Sequence, residues 1–214
     1  MTWLTEHAAL VGSLAWRHTW LAGIPLIVGL ALALPLGWWA TRGRRTYATV
    51  VTTAGLLYTI PSLALFVLMP VIIGTKILDP INVVLAMTLY TVALLVRTVA
   101  DGLAHVPDDV LAAARSMGYG PIRRFVAVDL PLAIPVIASG LRVAAVSNVS
   151  IVSVASLIGT AQLGDLLVDG YNRFFTAPLV TGIVACILLA LVFDGFILAI
   201  SWALTPWLRF RAAP

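Results

Sequence analysis

The sequence predicts an all-α, polytopic membrane protein with about five transmembrane helices. Its 214 residues are 61% hydrophobic and 10% charged, and the mean hydropathy is +1.05, which is outside the range of soluble globular domains. The apolar residues fall into five runs, and a helix needs about 20 such residues to cross the hydrocarbon core. The cations cluster beside these runs, which is typical of membrane topology rather than of nucleic-acid binding.

The first segment, residues 1–20, predicts an extracytoplasmic interfacial helix rather than a span. It is only mildly apolar and contains Glu6, Arg17 and two histidines, and it lacks the cationic start and apolar core of a signal peptide. Trp16 and Trp20 are placed for the headgroup level, where aromatic residues concentrate. Residues 21–206 then form the expected transmembrane domain, and residues 207–214 form a cytoplasmic tail.

Five spans are expected in this domain, at about Leu21–Trp39, Val50–Met69, Ile81–Val96, Ala133–Leu157 and Leu179–Leu204. Pro61, in the second span, removes a backbone hydrogen bond and predicts a kink or a break. Asn148, in the fourth, either lines a path or hydrogen-bonds to another helix. Asp194, deep in the fifth, is a functional candidate because a carboxylate at membrane depth is costly.

Lysine and arginine residues predict the orientation. Five spans place ten of them on one side: Arg42, Arg44, Arg45, Arg97, Arg115, Arg123, Arg124, Arg142, Arg209 and Arg211. The other side receives only Arg17, Lys76 and Arg173. The positive-inside rule therefore predicts an N-terminus outside and a C-terminus inside. Arg142 is expected near the cytoplasmic start of the fourth span.

The long polar interval 97–131 predicts a cytoplasmic loop with two short amphipathic helices. The first helix begins after Pro107 and ends before Gly118. Its apolar stripe at helical spacing consists of Val110, Leu111, Ala114 and Met117. Its small outward face, which would let another protein approach closely, consists of Ala112, Ala113 and Ser116. The second helix is expected to turn Ile122, Phe125 and Val126 inward and Arg123 and Arg124 outward, and to end at Pro131.

Local physics alone leaves two interpretations of this loop open, a docking surface or a solvated loop. The spacing Ala112-Ala113-Ala114, three residues, Gly118, nine residues, Val128, one residue, Leu130-Pro131 resembles the EAA motif of ABC-importer permeases. Ala112 replaces the glutamate of that motif and Val128 replaces its isoleucine. The resemblance implies a coupling helix that docks on an ATPase subunit. The coupling residues that it implies are Ala112, Ala113, Ala114, Arg115, Gly118, Leu130 and Pro131.

Two further segments resemble permeases for osmoprotectants in particular. The stretch from Tyr58 to Leu65, YTIPSLAL, is similar to a Gln-Thr-Ile-Pro-Ser-Leu-Ala segment of those proteins. The stretch from Ile158 to Asp165, IGTAQLGD, is similar to their I-G-x-x-x-L-G-D segment, and we expect it to face a binding protein outside the membrane. The candidates for the translocation path are Tyr58, Pro61, Ser62, Tyr90, Asn148 and Asp194.

The resemblance implies the permease subunit of an ATP-driven importer in a bacterial cytoplasmic membrane. The solutes that it implies are compatible solutes such as glycine betaine, choline, carnitine or proline betaine. The implied partners are a dimer of ABC ATPase subunits, a second permease subunit (identical or a sister chain), an extracytoplasmic substrate-binding protein and the lipid bilayer, with no nucleic acid.

No enzymatic activity, cofactor or metal is expected in this chain. It contains no G-x-x-x-x-G-K-[ST] loop and a single lysine, so ATP and Mg²⁺ would be used by the partner ATPase. Two alternatives stay open. The first alternative to the osmoprotectant permease is an ABC permease for another solute, such as an amino acid or a sulfonate. The second is an autonomous secondary transporter, a class that often shows internal repeats.

Overall fold

A computed structural model describes residues 2–211 of the chain as an all-helical bundle, in agreement with the predicted fold class. The α-helices within these residues are α1 Thr2–Glu6, α2 Ala8–Ala40, α3 Arg44–Tyr58, α4 Ser62–Ile73, α5 Pro80–Ala104, α6 Asp108–Ser116, α7 Pro121–Arg124, α8 Leu130–Val152, α9 Gly164–Asn172 and α10 Thr176–Leu204. A π-helical turn at Phe125–Asp129 joins α7 to α8, and 3₁₀ turns follow α8 (Ser153–Ile158) and α10 (Pro206–Arg211). Residues 212–214 of the predicted tail lie outside the described residues.

Four helical stretches are long and apolar enough to cross a membrane. They are α2, α5, the continuous run Pro121–Ile158 and α10. Helices α3 and α4 pass the same criterion only together, and they are bent by 99° where they meet. The predicted five spans are therefore obtained when the bent pair counts as one. Pro61 breaks the helix rather than kinking it, because its missing N–H coincides with the end of α3.

The predicted boundary at residue 20 is wrong, because α2 runs without interruption from Ala8 to Ala40. His18, which made this segment look polar, is fully buried. Its Nδ1 lies 2.9 Å from Gln162 Oε1 and its Nε2 lies 2.9 Å from the Val149 carbonyl oxygen. These hydrogen bonds allow the N-terminal half of α2 to pack against the bundle instead of lying apart from it.

Helices α2, α5 and α8 form the centre of the bundle, where small residues allow close approach. A Cβ atom on Gly29 of α2 would lie 2.5 Å from Thr91 Cγ2, and one on Gly37 would lie 2.5 Å from Val99 Cγ1. A Cβ atom on Gly140 of α8 would likewise lie 2.5 Å from Thr98 Cγ2 of α5. Small side chains at helix interfaces are typical of membrane bundles, because dispersion contacts rather than the hydrophobic effect hold the helices together.

The polar interval is shorter than 97–131, because helices extend into it from both ends. Helix α5 continues to Ala104, and its Arg97–Asp101 ion pair (Nε to Oδ2, 3.6 Å) stabilises the extra turns. Helix α7 begins at Pro121, so the connection covers residues 105–120. Pro131 does not end a helix as predicted. It lies inside the continuous run Pro121–Ile158, directly after the π-helical turn Phe125–Asp129.

Candidate functional site

The connection between α5 and α7 holds the short helix α6 at one end of the bundle. Pro107 precedes it in an extended conformation, and Asp108 and Asp109 occupy its first turn, where acidic side chains complement the positive end of the helix dipole. Gly118 has a φ of 81°, a left-handed conformation that favours glycine, and it turns the chain away from the end of α6. The start and the stop of this helix are as predicted.

Helix α6 presents small side chains outward. Ala114 is buried, while Ala112, Ala113, Arg115 and Ser116 are exposed, in agreement with the predicted outward face. The predicted apolar stripe is wrong at Met117, which is 68% exposed. Met117 lies beyond the last helical residue, Ser116, so helical spacing no longer sets the direction of its side chain.

The second amphipathic segment follows the prediction only in part: Arg123 is exposed as predicted, but Ile122, Arg124 and Val126 are not oriented as expected. Ile122 is 72% exposed and Val126 is 58% exposed, whereas the Arg124 side chain is mostly covered and its Nε donates to Asp129 Oδ2 at 3.2 Å. Phe125 does turn inward, and its ring lies 5.0 Å from that of Trp38. The π-helical turn Phe125–Asp129 accounts for the error at Val126, because it changes the period of 3.6 residues on which the prediction relied. Ile122 and Arg124 precede this turn, in the four-residue helix α7. Met117, Ile122 and Val126 therefore leave apolar surface beside α6.

A cavity of about 410 Å³ lies behind α6, between this helix, the α2–α3 turn and the start of α8. Arg44, Arg115 and Arg124 line it together with Asp129. Asp129 is buried, and its Oδ1 has no hydrogen-bond partner among residues 2–211. Sequence reasoning did not find this cluster, since its members are separated by as many as 85 positions and none occupies a position that the EAA pattern specifies.

Four of the six predicted path residues lie at the break between α3 and α4: Tyr58, Pro61, Ser62 and Tyr90. The rings of Tyr58 and Tyr90 meet edge to face with centroids 5.5 Å apart. The Tyr90 hydroxyl donates to the carbonyl oxygen of Ile60, which the break leaves without a helical partner. Pro61 is exposed and Ser62 begins α4. Tyr90 is buried and Tyr58 is partly exposed, so of the two tyrosines only Tyr58 is open to a solute.

Asn148 lies in the interior of the bundle. It is buried, and its Nδ2 donates to Thr91 Oγ1 at 2.9 Å and to the Ala22 carbonyl oxygen at 3.3 Å. One amide thus connects α8 to α5 and to α2. Of the two interpretations that the sequence left open, this geometry favours hydrogen bonding between helices.

Asp194 of α10 pairs with Arg142 of α8. Arg142 Nε donates to Asp194 Oδ1 at 2.6 Å and its Nη2 donates to Oδ2 at 2.8 Å. Arg142 does not lie near the start of its span, because the helix begins at Pro121 and Arg142 falls near the middle of its 38 residues. Leaving Arg142 out of the topology count gives nine cations against three, so the predicted orientation is unaffected.

The exposed faces of the long helices differ in chemistry. The exposed side chains are apolar on three helices: on α2 from Leu21 to its C-terminal end, on α4, and on α10 from Pro178 to its C-terminal end. Helix α3 instead exposes the hydroxyl groups of Thr49, Thr52 and Thr53, and Thr59 follows just beyond its end. The exposed side of α8 is mixed, and it consists of Leu132, Val136, Ser139, Val143, Val146 and Ser150. Hydrocarbon faces suit lipid, whereas polar residues at membrane depth usually face the bundle interior, another helix or a water-filled cavity.

The segment Ile158–Asp165 is mostly interior, contrary to the expectation that it faces a binding protein. Gln162 and Leu163 are fully buried, and the Gln162 side chain bonds to His18 of α2 and to the Ser153 carbonyl oxygen. A Cβ atom on Gly164 would collide with that carbonyl oxygen. Burial raises the pKa of the Asp165 carboxyl, and a backbone hydrogen bond from Gln162 and the nearby charge of Arg17 oppose this rise.

A surface at the same end of the bundle remains open at the turn between α9 and α10. Tyr171 is exposed, and Phe174 is 95% exposed in a left-handed conformation (φ 52°). The α9–α10 turn, and not the segment Ile158–Asp165, is thus the accessible part of this connection.

A multi-pass helical bundle with a short, small-faced helix projecting at one end is the architecture of an ABC-importer permease. Residues 33–204 match the model of the family described as "binding-protein-dependent transport system inner membrane component", and the chain belongs to this family. It is 33% identical over 207 residues to the osmoprotectant import permease protein OsmW of Salmonella typhimurium, covering 95% of this chain and 96% of that protein.

Two further similarities support the family and the fold. The choline transport system permease protein OpuBB of Bacillus subtilis is 28% identical over 191 residues, with 89% of this chain and 87% of that protein covered. A chain of the MetNI methionine ABC transporter in an inward-facing conformation superposes with a TM-score of 0.83 at 22% identity, over 94% of this chain and 98% of that chain. The predicted family and type of fold are confirmed.

Proposed function

We propose that this chain is the permease subunit of an ATP-driven importer for osmoprotectants of the quaternary-ammonium class. Identity of 33% over nearly the whole chain to a protein named an osmoprotectant import permease carries the solute class. The similarity to a choline permease supports it. The resemblance of the Tyr58–Leu65 stretch to a segment of osmoprotectant permeases supports the same solute class.

Helix α6 supplies the mechanical connection to an ATPase dimer. Its outward face of Ala112, Ala113 and Ser116 lets the ATPase approach the backbone closely, and the neighbouring exposed Met117 and Ile122 supply apolar contact. Gly118 fixes the direction in which the chain leaves the helix. Movement of α6 reaches the bundle through its packing against α7 and the π-helical turn, and from there through the uninterrupted helix from Pro121 to Ile158.

The end of the bundle that carries α6 is cytoplasmic. Nine lysine and arginine residues are assigned to this end of the bundle and three to the opposite end. Single cysteines at Ala112 and Phe174, placed in a chain whose only native cysteine, Cys186, is changed to serine, would test this orientation in intact cells. A membrane-impermeant maleimide should label position 174 and not position 112. Labelling of position 112 alone would reverse the proposed topology.

The solute passes along the hydroxyl-bearing face of α3 and the exposed side of α8, with Tyr58 at the break between α3 and α4. A second permease subunit supplies the other half of this path, and an extracytoplasmic binding protein delivers the solute. An aromatic ring attracts a quaternary ammonium through its negative face, by about 0.5 to 2 kcal/mol. Tyr58 offers one partly exposed ring, which suits a transient contact and not a tight site.

Co-expression with the neighbouring genes tests the proposal. The chain should co-purify with an ATPase, and the reconstituted assembly should hydrolyse ATP faster when glycine betaine and its binding protein are present. Methionine serves as the control solute. Stimulation by methionine but not by glycine betaine would keep the importer and overturn the solute class. Solute uptake by this chain alone, driven by an ion gradient, would overturn the importer.

A further inference from the structure

The Arg142–Asp194 ion pair lies near the middle of the membrane. Asp194 is ten residues before the last residue of α10, Leu204, which is about 15 Å along a helix axis and about half the thickness of the hydrocarbon core. Arg142 falls near the middle of the run Pro121–Ile158. Neither side chain is close enough to a helix end to reach the headgroup region with its charged group.

The pair is not enclosed by this chain. The Arg142 side chain is 39% exposed and the Asp194 side chain is 26% exposed. Charged groups at this depth are costly when they face lipid, so they are normally covered by protein or by water. The pair therefore borders a space that is not filled by lipid.

The neighbours of Arg142 indicate which space that is. Helical spacing places Ser139 and Val146 beside it, three residues before and four residues after, and both belong to the exposed face of α8. Ser150 continues this face by one more turn. Arg142 thus lies between the contact with α10 and the exposed side of α8 that was assigned above to the solute path, on which two of the six exposed residues carry hydroxyl groups.

Both members of the ion pair remain partly accessible. Asp194 receives two N–H groups of Arg142, one from Nε and one from Nη2, and a guanidinium carries five N–H donors in total. The remaining donors suit a second carboxylate, and charge-assisted hydrogen bonds of this kind are among the stronger ones. The carboxylate of Asp194 can at the same time attract a quaternary ammonium.

We propose that Arg142 and Asp194 form a contact site for zwitterionic solutes, with the solute lying antiparallel to the ion pair. The solute carboxylate contacts Arg142 and its ammonium group lies on the side of Asp194. A solute that is only a cation, such as choline, gains no contact with Arg142 and is repelled by its charge. The chain therefore transports carboxylate-bearing betaines in preference to choline. This inference rests on the proposed function, and it adds a specificity that the function does not imply.

The test is the ratio of glycine betaine uptake to choline uptake by the reconstituted importer at saturating binding protein. The variant R142Q/D194N removes both charges and keeps polar groups of similar shape. The control R97Q/D101N makes the same change in the exposed pair of α5. Because all variants share one binding protein, a change in the ratio originates in the permease. We expect the ratio to fall about tenfold in R142Q/D194N and to stay constant in the control.

The remaining outcomes separate this proposal from a purely structural role. Equal loss of both solutes in an assembly that retains its ATPase would overturn the inference, since the pair would then only hold α10 against α8. If R142Q/D194N does not assemble, Arg142→Lys keeps the charge but loses the bidentate geometry, and an unchanged ratio in that variant would also overturn it. If the unmodified importer transports neither solute, the proposed function itself fails, and the inference fails with it.

Discussion

Replacing Gly37 by alanine tests the packing that holds the central helices of the bundle together. The added Cβ atom would lie 2.5 Å from Val99 Cγ1, 2.7 Å from Val99 Cβ and 3.1 Å from the backbone nitrogen of Ala100. Neither the Cβ atom of Val99 nor the backbone can rotate away, so α2 and α5 must separate. Overpacking of this kind costs about 1 to 3 kcal/mol, which lowers the melting temperature by about 2 to 10 °C.

The assay is thermal unfolding of the purified assembly in mild detergent, with Gly55→Ala as the matched control. Gly55 lies in the middle of α3, and a Cβ atom there meets nothing within 4 Å, so alanine should be neutral or slightly stabilising. The double variant G37A/V99A removes the Cγ contacts but not the Cβ contact, and it should recover part of the lost stability. If G37A and G55A melt at the same temperature, the close approach of α2 and α5 is wrong.

Other substitutions separate coupling, helix association and burial. Gly118→Asp should leave the subunit folded but abolish ATPase co-purification and uptake, because a bulky charge obstructs docking. Gly118→Asn, which tolerates the left-handed conformation, should retain more of both. Unaffected uptake in the aspartate variant would contradict the coupling role. Asn148→Leu should lower stability, and a double-mutant cycle with Thr91→Val should give a coupling of about 0.6 kcal/mol; altered solute affinity at unchanged stability would instead place Asn148 in the path. Asp165→Asn should raise the melting temperature at pH 7, because the raised pKa means that the folded state disfavours the charged form. The gain should shrink as the pH falls through the raised pKa and should vanish below about 3.9, where the carboxyl is protonated in both states. A gain independent of pH would refute this cause.

The region around the coupling helix illustrates how far local sequence signals reach. Pro107 and Gly118 act through backbone geometry that each residue imposes on its own neighbours, so the limits of α6 could be predicted. The direction of Val126 could not, since Val126 lies in a π-helical turn that no local sequence pattern predicts. The cavity that Asp129 lines is formed by the same turn together with residues of α2, α3, α5, α6 and α7, those of α2 and α3 being the most distant in sequence.

Composition and the spacing of apolar runs by themselves determined that this is a helical membrane protein, because lipid offers backbone groups no partner and leaves helices as the simplest solution. The cation bias and the EAA-like spacing determined the expected orientation and the family. Only the tertiary structure decided that His18 belongs to a span, that Asn148 connects three helices and that Arg142 meets Asp194. These contacts join residues between 52 and 144 positions apart. Contacts over such separations depend on how the helices rotate against one another, and the close approach of small residues such as Gly37 sets that rotation.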